Sequence, residues 1–362
     1  MDHEAVLLQR LRDVRALLVE NDVEGILVGN GHNRRWLSGF EGSYGWLMVT
    51  AEKALLGTDF RYWEQALTQA PYYELFKITK ECTQNDLIFA GQVHDIALEA
   101  QSVSIREFKN LQQLTDINWV LCDDLVERLR AVKDESELKR IRTAAAITDA
   151  AMAAVKNLAR IGMTEAALAW ELEKHMREEG ADGLAFPLHV ASGPNSALPH
   201  HASSERPIQP GEILLIDMGA SFNGYASDLT RTFYVGTQAD QRFRELYAIV
   251  QEAHDQAIAA IQPGVRGREV DAVARDIIGE AGHGDHFGHG LGHGLGLQAH
   301  EEPRLSPSKA ETPLVSGMLA TVEPGIYLPG YGGIRIEDLV LVTGNGAEFL
   351  SHCSTEPLLE LD

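Results

Sequence analysis

Cysteine is scarce in this chain of 362 residues. Its three cysteines, Cys82, Cys122 and Cys353, lie far apart, and no two of them form a Cys-x-x-Cys pair. Such spacing supports neither a disulfide framework nor a zinc site made of thiolates. Any metal site must therefore be sought among oxygen and nitrogen ligands.

Basic residues are few in comparison with acidic ones. The chain has 31 lysines and arginines against 53 aspartates and glutamates, which gives a formal charge of −22. A surface of this sign repels a phosphate backbone, so no nucleic-acid partner is expected. We interpret most of the acidity as a means of solubility, and a smaller part as carboxylates gathered to hold cations.

Long hydrophobic runs are missing as well. No apolar segment approaches the roughly 18 residues that a membrane span needs, so no membrane partner is expected. The N-terminal stretch MDHEAVLLQRLRDVRALLVE carries charges throughout and indicates an amphipathic helix rather than a signal peptide. These features predict the cytoplasm as the compartment.

The length of the chain suits two domains, and its hydrophobic content of 44% is enough to build their cores. Helical and strand patterns alternate in residues 1–130, which predicts an α/β domain. The predicted elements there are helices at 4–20 and 61–70, strands at 25–28, 46–50 and 54–58, and a turn at 29–31.

A second domain is predicted for residues 131–362, beginning with the charged stretch AVKDESELKRIR. Asp134 or Ser136 is expected to cap a helix that runs on to about residue 159. The other predicted elements are helices at 164–180, 240–261 and 267–281, and strands at 213–216, 229–235, 319–322 and 334–342.

A predicted hairpin brings two aspartates together. Asn223-Gly224 is the favoured dipeptide of a two-residue turn between strands. With this turn, Asp228 lies opposite Gly219 and is a diagonal neighbour of Asp217, roughly 5–8 Å away. Two like charges this close are unfavourable unless cations lie between them, and a metal pair about 3.5–4 Å apart would meet that need. For either aspartate alone, capping of a turn is the simpler interpretation.

Histidines recur in the segment FGHGLGHGLGLQAHEEP, residues 287–303. Its many glycines exclude a stable helix. In an extended segment His289 and His293 lie about 13 Å apart, so one ion cannot bind both. His300 is expected to lie too far beyond His293 to share that ion. A satisfied or solvated polar side chain is the alternative interpretation of each histidine.

Two glutamates interrupt apolar strand patterns, Glu323 in TVEPGIY and Glu337 in GGIRIEDLV. A buried carboxylate is unfavourable without a partner and acceptable beside a cation. The alternative is a salt bridge, for Glu337 with Arg335. Together with Asp217, Asp228 and one histidine, the glutamates form an oxygen-rich donor set that suits Mn²⁺, Co²⁺ or Zn²⁺. Four carboxylates balance the charge of two divalent ions.

Five sequence blocks resemble metallopeptidase family M24, the "pita-bread" enzymes, in its proline-specific branch of Xaa-Pro aminopeptidase and Xaa-Pro dipeptidase (prolidase). These blocks are VASGPNSALPHH, LLIDMGASFNGYASDLTRTF, HGLGHGLGLQAHE, VEPGIY and IRIEDLV. The resemblance covers residues 134–362 and extends more weakly to the first domain, through NRRWLSGFEGSYGWLMVT and TDFRYWEQA. It implies an α/β (α+β) fold, in which a creatinase/prolidase-like domain at 1–130 precedes a pita-bread catalytic domain at 131–362.

Matched position by position, the resemblance implies two divalent metal ions per chain, of Mn, Co or Zn. Asp217 would bind one metal, and Asp228 and Glu337 would bridge both. His293 and Glu323 would complete the shell of the other metal.

The same resemblance implies how other side chains act. His300 would stabilise the oxyanion, Glu323 would carry a proton to the leaving nitrogen, and His200 would act beside the substrate. The residues implied to line the substrate site are His289, Tyr327 and Arg335.

The activity implied is hydrolysis of the Xaa–Pro bond at the N-terminus of dipeptides or short peptides, by a homodimer. A methionine aminopeptidase-like enzyme is the alternative within the fold, but the additional first domain and the SALPHH block favour the proline branch. Creatinase shares the two-domain layout but lacks the metal ligands. An inactive peptide-binding module on the same fold is the alternative from another class, and such modules normally lose ligands that this chain keeps.

Overall fold

The computed structural model describes residues 3–308 and 311–361. The chain divides into two compact units, Met1–Arg130 and Ala131–Asp362. Within the described residues, no helix combines the length and the apolar character that crossing a bilayer requires.

The first unit is built on one mixed sheet. Its strands are β1 (Gly25–Val28), β2 (Trp46–Thr50), β3 (Ala54–Thr58), β4 (Glu74–Lys77), β5 (Asp95–Glu99) and β6 (Asn118–Cys122). Its helices are α1 (His3–Glu20), α2 (Gly31–Ser38), α3 (Trp63–Gln69), α4 (Gln84–Ala90), α5 (Ile105–Leu111) and α6 (Leu125–Ala131). The strand order is β4-β3-β2-β1-β5-β6, with β1 parallel to β5 and antiparallel to β2. The predicted α/β character of this part of the chain is confirmed.

The predicted turn at 29–31 is wrong at Gly31, where helix α2 begins. The side chain of Asn30 accepts hydrogen bonds from the backbone N–H groups of His32 and Asn33, and so caps the helix. Asparagine is favoured both in turns and at helix N-caps, and the residues that follow decide between the two. Here they form two turns of helix.

The second unit contains the remaining helices and strands. Its helices are α7 (Glu135–Leu158), α8 (Glu165–Glu178), α9 (Gln241–Ala260) and α10 (Gly267–Glu280), with short 3₁₀ segments at Gly193–Ala197 and Gly284–His286. Its strands are β7 (Gly183–Leu184), β8 (His189–Ser192), β9 (Ile213–Met218), β10 (Ala220–Phe222), β11 (Tyr225–Ala226), β12 (Leu229–Val235), β13 (Gly292–Gly294), β14 (Glu301–Leu305), β15 (Leu319–Val322), β16 (Gly325–Leu328), β17 (Gly332–Arg335), β18 (Asp338–Thr343), β19 (Gly346–Phe349) and β20 (Leu358–Leu359). The four predicted helices are confirmed, and Asp134 and Thr164 are the N-caps of α7 and α8.

Two apolar cores pack against the curved strands of this unit. One lies between α9, α10 and strands β15 to β18, and includes Phe243, Val250 and Val322. The other lies between α7, α8 and strands β8, β9 and β12, and includes Leu168 and Ile216. The edges and ends of the strands between these cores are where polar side chains can enter the interior.

The predicted hairpin is confirmed, including its register. Phe222 pairs with Tyr225 around the Asn223-Gly224 turn, and both turn residues have positive φ, as a two-residue hairpin turn requires. Further along, Met218 pairs with Leu229 in the same register. The ladder is interrupted at Gly219, where an added Cβ would lie 2.0 Å from a backbone oxygen of the opposite strand.

The single strand predicted at 334–342 is wrong. The chain forms β17 and β18, which belong to different sheets, with β17 paired to β16 and β18 paired to β15. Residues 336 and 337 lie at the change of sheet, and Glu337 forms an isolated bridge with Thr230. The apolar pattern continues across the break because both strands are buried.

Candidate metal centre

The five predicted metal ligands reach one cavity from strand ends and edges. Strand β9 carries Asp217, Asp228 immediately precedes β12, and β13 carries His293. Glu323 lies between β15 and β16, and Glu337 between β17 and β18. All five line a cavity of about 440 Å³. Each of the four carboxylates lies near a point where a strand starts or ends.

Local sequence explains these breaks. Pro324 follows Glu323 and has no N–H to donate, so the ladder of β15 cannot continue through it. Gly292 of β13 lies so close to β15 that an added Cβ would be 2.0 Å from the backbone oxygen of Thr321. Strand β13, with His293 at its centre, can therefore lie against β15 only with glycine at that position.

The donor atoms of three side chains converge. Asp228, His293 and Glu337 each offer one atom, and these atoms all lie within 4.8 Å of one another. His293 Nε2 lies 3.7 Å from Asp228 Oδ2 and 3.4 Å from Glu323 Oε1. These separations leave room for a cation between the groups and are too long for direct hydrogen bonds.

The carboxylates of the cluster repel one another. Burial, and then the charge of Glu337, raises the pKa of both Asp228 and Glu323. Burial, and then Asp217, raises the pKa of Glu337 to about 7. The guanidinium of Arg335 opposes these shifts without cancelling them. A cluster of buried acids with raised pKa values is the electrostatic condition that divalent cations relieve.

One oxygen in the cluster lacks a partner. Asp217 Oδ2 accepts a hydrogen bond of 2.6 Å from Arg335 Nη2, but Asp217 Oδ1 is buried and has no hydrogen-bond partner among the described residues. A buried carboxylate oxygen normally has a donor or a metal. The donor set of four carboxylates and an imidazole therefore fits divalent metal ions with a preference for oxygen and nitrogen ligands.

Burial favours the neutral form of three histidines of the cavity, His289, His293 and His300. Burial, and then the neighbouring His300, lowers the pKa of His293 to about 3. Burial, and then Arg335, lowers the pKa of His289 to about 4. Burial lowers the pKa of His300 as well. A neutral imidazole is the form that binds a metal or donates a single N–H.

The expected separation of His300 from His293 is wrong. Their ring centroids lie 4.1 Å apart, although an extended chain would hold them much farther from one another. Strands β13 and β14 pair in antiparallel fashion with a register shift after His293, so the connecting segment turns back on itself. Both rings belong to the same site, and the count of residues between them carries no information about their distance.

Arg335 is engaged by partners other than Glu337. Besides its ion pair with Asp217, its Nη1 donates to the hydroxyl of Tyr327 at 2.9 Å. That hydroxyl also lies 2.9 Å from His289 Nε2. Glu337 instead accepts a hydrogen bond of 2.6 Å from the Thr230 hydroxyl. The alternative salt bridge between Glu337 and Arg335 is not formed, and a chain of polar contacts links His289 to Asp217.

The cavity contains nine of the ten residues that the sequence singled out, and the tenth, Tyr327, contacts two of them. His200 lies at its exposed side. Sequence reasoning missed several members of the wall, which are Phe186, Pro187, His189, Pro199, Arg304 and Ser306. His189 faces Asp217 through the pairing of β8 with β9, which only the structure shows, so no short-range pattern could have identified it.

A buried glutamate holds the segment that carries His200. Glu165, at the start of α8, accepts hydrogen bonds from the backbone and hydroxyl of Ser192, from the backbone and hydroxyl of Ser204, and from Asn195. It also accepts one of 2.8 Å from the ring of His201, next to His200. Burial raises the pKa of Glu165, but these donors outweigh it and lower the pKa to about 2.

Comparison with known protein families gives two matches that together span most of the chain. The pattern of Metallopeptidase family M24 matches residues 139–344. The pattern of the Creatinase/Prolidase N-terminal domain matches residues 10–132. The first match contains all ten of the predicted site residues.

Individual relatives resemble the chain over nearly its whole length. An Xaa-Pro dipeptidase of Pyrococcus horikoshii is 34% identical, over 97% of this chain and 99% of the relative. Among solved structures, an Xaa-Pro dipeptidase from Bacillus anthracis has a TM-score of 0.93 and 38% identity, covering 98% of this chain and 100% of that one. An X-Pro aminopeptidase from Thermotoga maritima has a TM-score of 0.85 and 35% identity, covering 94% and 98%.

Proposed function

Because the chain belongs to metallopeptidase family M24, we propose that it hydrolyses the Xaa–Pro bond at the N-terminus of dipeptides and short peptides. The proposal is carried by the convergence of donor atoms from Asp228, His293 and Glu337 within 4.8 Å of one another. The names of the relatives add the preference for proline.

We propose two divalent ions of Mn, Co or Zn as the cofactor. Asp217, Asp228 and Glu337 would hold one of them, and Asp228, Glu337, His293 and Glu323 the other. When bound, such ions polarise a carbonyl oxygen and make a water molecule more acidic near neutral pH. The unpartnered oxygen of Asp217 and the raised pKa values of the other carboxylates support this ligand set.

Two side chains beside the cluster have the properties of catalytic residues. Burial raises the pKa of Glu323, which suits a group that takes up a proton and later gives it to the leaving nitrogen. His300 is exposed to the cavity, and its lowered pKa keeps the ring neutral. A neutral ring can donate one N–H to the oxyanion that develops at the scissile carbonyl.

The polar chain behind the cluster serves to orient it. Arg335 holds Asp217 through the ion pair of 2.6 Å, and Tyr327 joins Arg335 to His289. His200, on the exposed side, is proposed to contact the substrate. A substrate with proline after the scissile bond has a tertiary amide, so the site needs no acceptor for an N–H at that nitrogen.

Two arginines of the cavity wall, Arg335 and Arg304, are candidates to bind the carboxylate of a dipeptide. Arg335 is buried and paired with Asp217 and Tyr327, so its guanidinium is occupied. Arg304 lines the same cavity and its side chain is 39% exposed. Its Nε atom lies 3.8 Å from Glu302 Oε1, which is a long ion pair. We propose Arg304 as the partner of a C-terminal carboxylate, which would favour dipeptides slightly over longer peptides.

Kinetics on three matched substrates test the proposal. The values of kcat/KM are measured for an Xaa-Pro dipeptide, an Xaa-Pro-Xaa tripeptide and an Xaa-Ala dipeptide in Mn²⁺, Co²⁺ or Zn²⁺. We expect cleavage of both proline substrates and little of the alanine one. Equal rates on Xaa-Ala and Xaa-Pro would contradict the proline assignment. A dipeptide preference above ~100-fold, about 2.7 kcal/mol, would mean a more closed pocket than we propose.

We further propose that the enzyme acts in the cytoplasm as a homodimer. Light scattering after size exclusion measures the mass of the particle, against the 39.8 kDa of one chain. A monomer at all concentrations would contradict the dimer. Metal analysis of the same sample separates an enzyme from an inactive peptide-binding module, which would not need the ions.

A further inference from the structure

A buried ion pair lies directly behind His300. The Nζ atom of Lys133 is 3.0 Å from Glu301 Oε2, and the two side chains are only 1% and 6% exposed. Glu301 follows His300 in the chain and is the first residue of β14. Lys133 lies just before the N-cap of α7, and its backbone N–H donates to the oxygen of Gly317. The lysine is therefore held by the framework of the second unit.

The segment that ends in His300 is folded around the carboxylate of Glu301. Oxygen Oε1 accepts a hydrogen bond of 3.0 Å from the backbone N–H of Gln298. A Cβ added to Gly296 would lie 2.8 Å from Oε2, so the carboxylate fills the space beside that glycine. Glu301 pairs with Gly294 across the bulge of the β13–β14 pair. One side chain thus contacts the segment on both sides of its turn.

The ring of His300 has little else to hold it. Within residues 3–308 and 311–361 it makes no hydrogen bond, and the residue is exposed. Among the described residues, its ring contacts that of His293, at 4.1 Å between centroids. The position of the ring therefore depends on the backbone that presents it, and that backbone is fastened by Glu301.

The lysine matters because of the charge already present. The cavity is lined by four carboxylates, and a fifth buried carboxylate without a counterion would be unfavourable beside them. Lys133 neutralises the charge of Glu301. The ionised Glu301 carboxylate can therefore accept the hydrogen bond from the Gln298 backbone without adding net negative charge beside the cavity.

We propose that Lys133 and Glu301 are positioning residues for the reaction, because their buried pair holds the 295–300 segment so that the His300 ring faces the substrate carbonyl. This inference rests on the proposed function, in which His300 stabilises the oxyanion.

A double-mutant cycle with His300 tests the inference. Glu301→Gln is nearly isosteric but turns an amide N–H₂ towards Lys133. We expect kcat on an Xaa-Pro dipeptide to fall ~10-fold, as for a misplaced catalytic group, with KM and metal content within about twofold of wild type. In a His300→Ala background the same change should lower kcat by less than about twofold, because the group being positioned is absent.

Two kinds of variant separate positioning from general destabilisation. Lys133→Arg keeps the cation and should keep kcat within about twofold, whereas Lys133→Met should reproduce the loss. If Lys133→Met does not fold, the pair K133M/E301L replaces the ions by apolar side chains and should fold with low kcat. Asp149→Asn is the matched control, since Asp149 is a carboxylate of the same unit that accepts backbone N–H bonds from His352 and Cys353. It should keep wild-type kcat.

Several results would overturn the inference. One is an unchanged kcat in Glu301→Gln, and another is an equal fold-loss of kcat from this change in the wild-type and His300→Ala backgrounds. A third is loss of a metal ion in Glu301→Gln, which would mean that the pair acts on His293 instead. Failure of the wild-type protein to cleave Xaa-Pro would overturn only the proposed function. In that case the imidazole NMR signals of His300 decide, because Glu301→Gln should shift them and unchanged signals would refute the positioning role.

Discussion

Replacing Glu165 by glutamine is expected to lower the free energy of unfolding by about 3 kcal/mol at pH 7. The Glu165 carboxylate is 0% exposed, and its pKa falls from 4.5 in the unfolded chain to about 2 in the folded one. Each pKa unit corresponds to about 1.4 kcal/mol of preference for the ionised form in the folded state. Glutamine cannot ionise, and its N–H₂ would face donors from Ser192 or Ser204.

The dependence of this loss on pH identifies its cause. Because the folded-state pKa is depressed, the stabilisation is fully present above pH 4.5 and is lost as the pH falls towards 2. The difference between wild type and Glu165→Gln should therefore shrink from about 3 kcal/mol at pH 7 to about 2 kcal/mol at pH 3.5. A loss caused by altered packing would not change with pH in this way.

Urea-induced unfolding followed by circular dichroism measures the loss of unfolding free energy at pH 7 and at pH 3.5. Glu178→Gln is the control, since Glu178 is an exposed residue at the other end of the same helix, and it should change stability by less than about 0.5 kcal/mol. A difference below about 1 kcal/mol at pH 7 for Glu165→Gln, or a difference that acid leaves unchanged, would refute the reasoning.

Other predictions concern the metal centre and the substrate. Elemental analysis of protein loaded with Mn²⁺ or Co²⁺ should find two ions per chain, and a value near zero with activity untouched by a chelator would rule out the metal mechanism. His300→Ala should lose ~10²–10³ in kcat and keep its metals, as expected for an oxyanion donor. Metal loss in that variant would mean that His300 is itself a metal ligand. The variant tests this directly, because the His300 ring lies only 4.1 Å from that of His293. Arg304→Met should raise KM for an Xaa-Pro dipeptide and leave KM for its C-terminal amide unchanged; equal effects on both substrates would contradict pairing with the carboxylate.

Turn and helix-cap residues, which act on their immediate neighbours in the chain, made parts of the site predictable. The Asn223-Gly224 turn sets the register of its hairpin, and the register carries through to Asp217 and Asp228. The information lies in two adjacent residues and the strict alternation of strands, so no distant contact is needed. The helix caps at Asp134 and Thr164 were readable for the same reason.

Two predictions for the second unit failed where long-range strand pairing determines the structure. The rings of His293 and His300 lie 4.1 Å apart because β13 pairs with β14, and spacing in an extended segment could not show that. Glu337 lies where the chain leaves one sheet for another, although the apolar pattern around it looks continuous. Long-range strand pairing decides both, and a single sequence does not display it.

The sequence by itself determined the fold class, the kinds of ligand and the five blocks that resemble a metallopeptidase, because residue type and short-range pattern carry that information. Only the tertiary structure decided which partners the charged groups have: Arg335 with Asp217, Glu165 with the segment of His200, and Lys133 with Glu301. Buried charges must find partners wherever folding brings them. Those partners lie up to 168 positions apart in the chain, and sequence proximity does not reveal them.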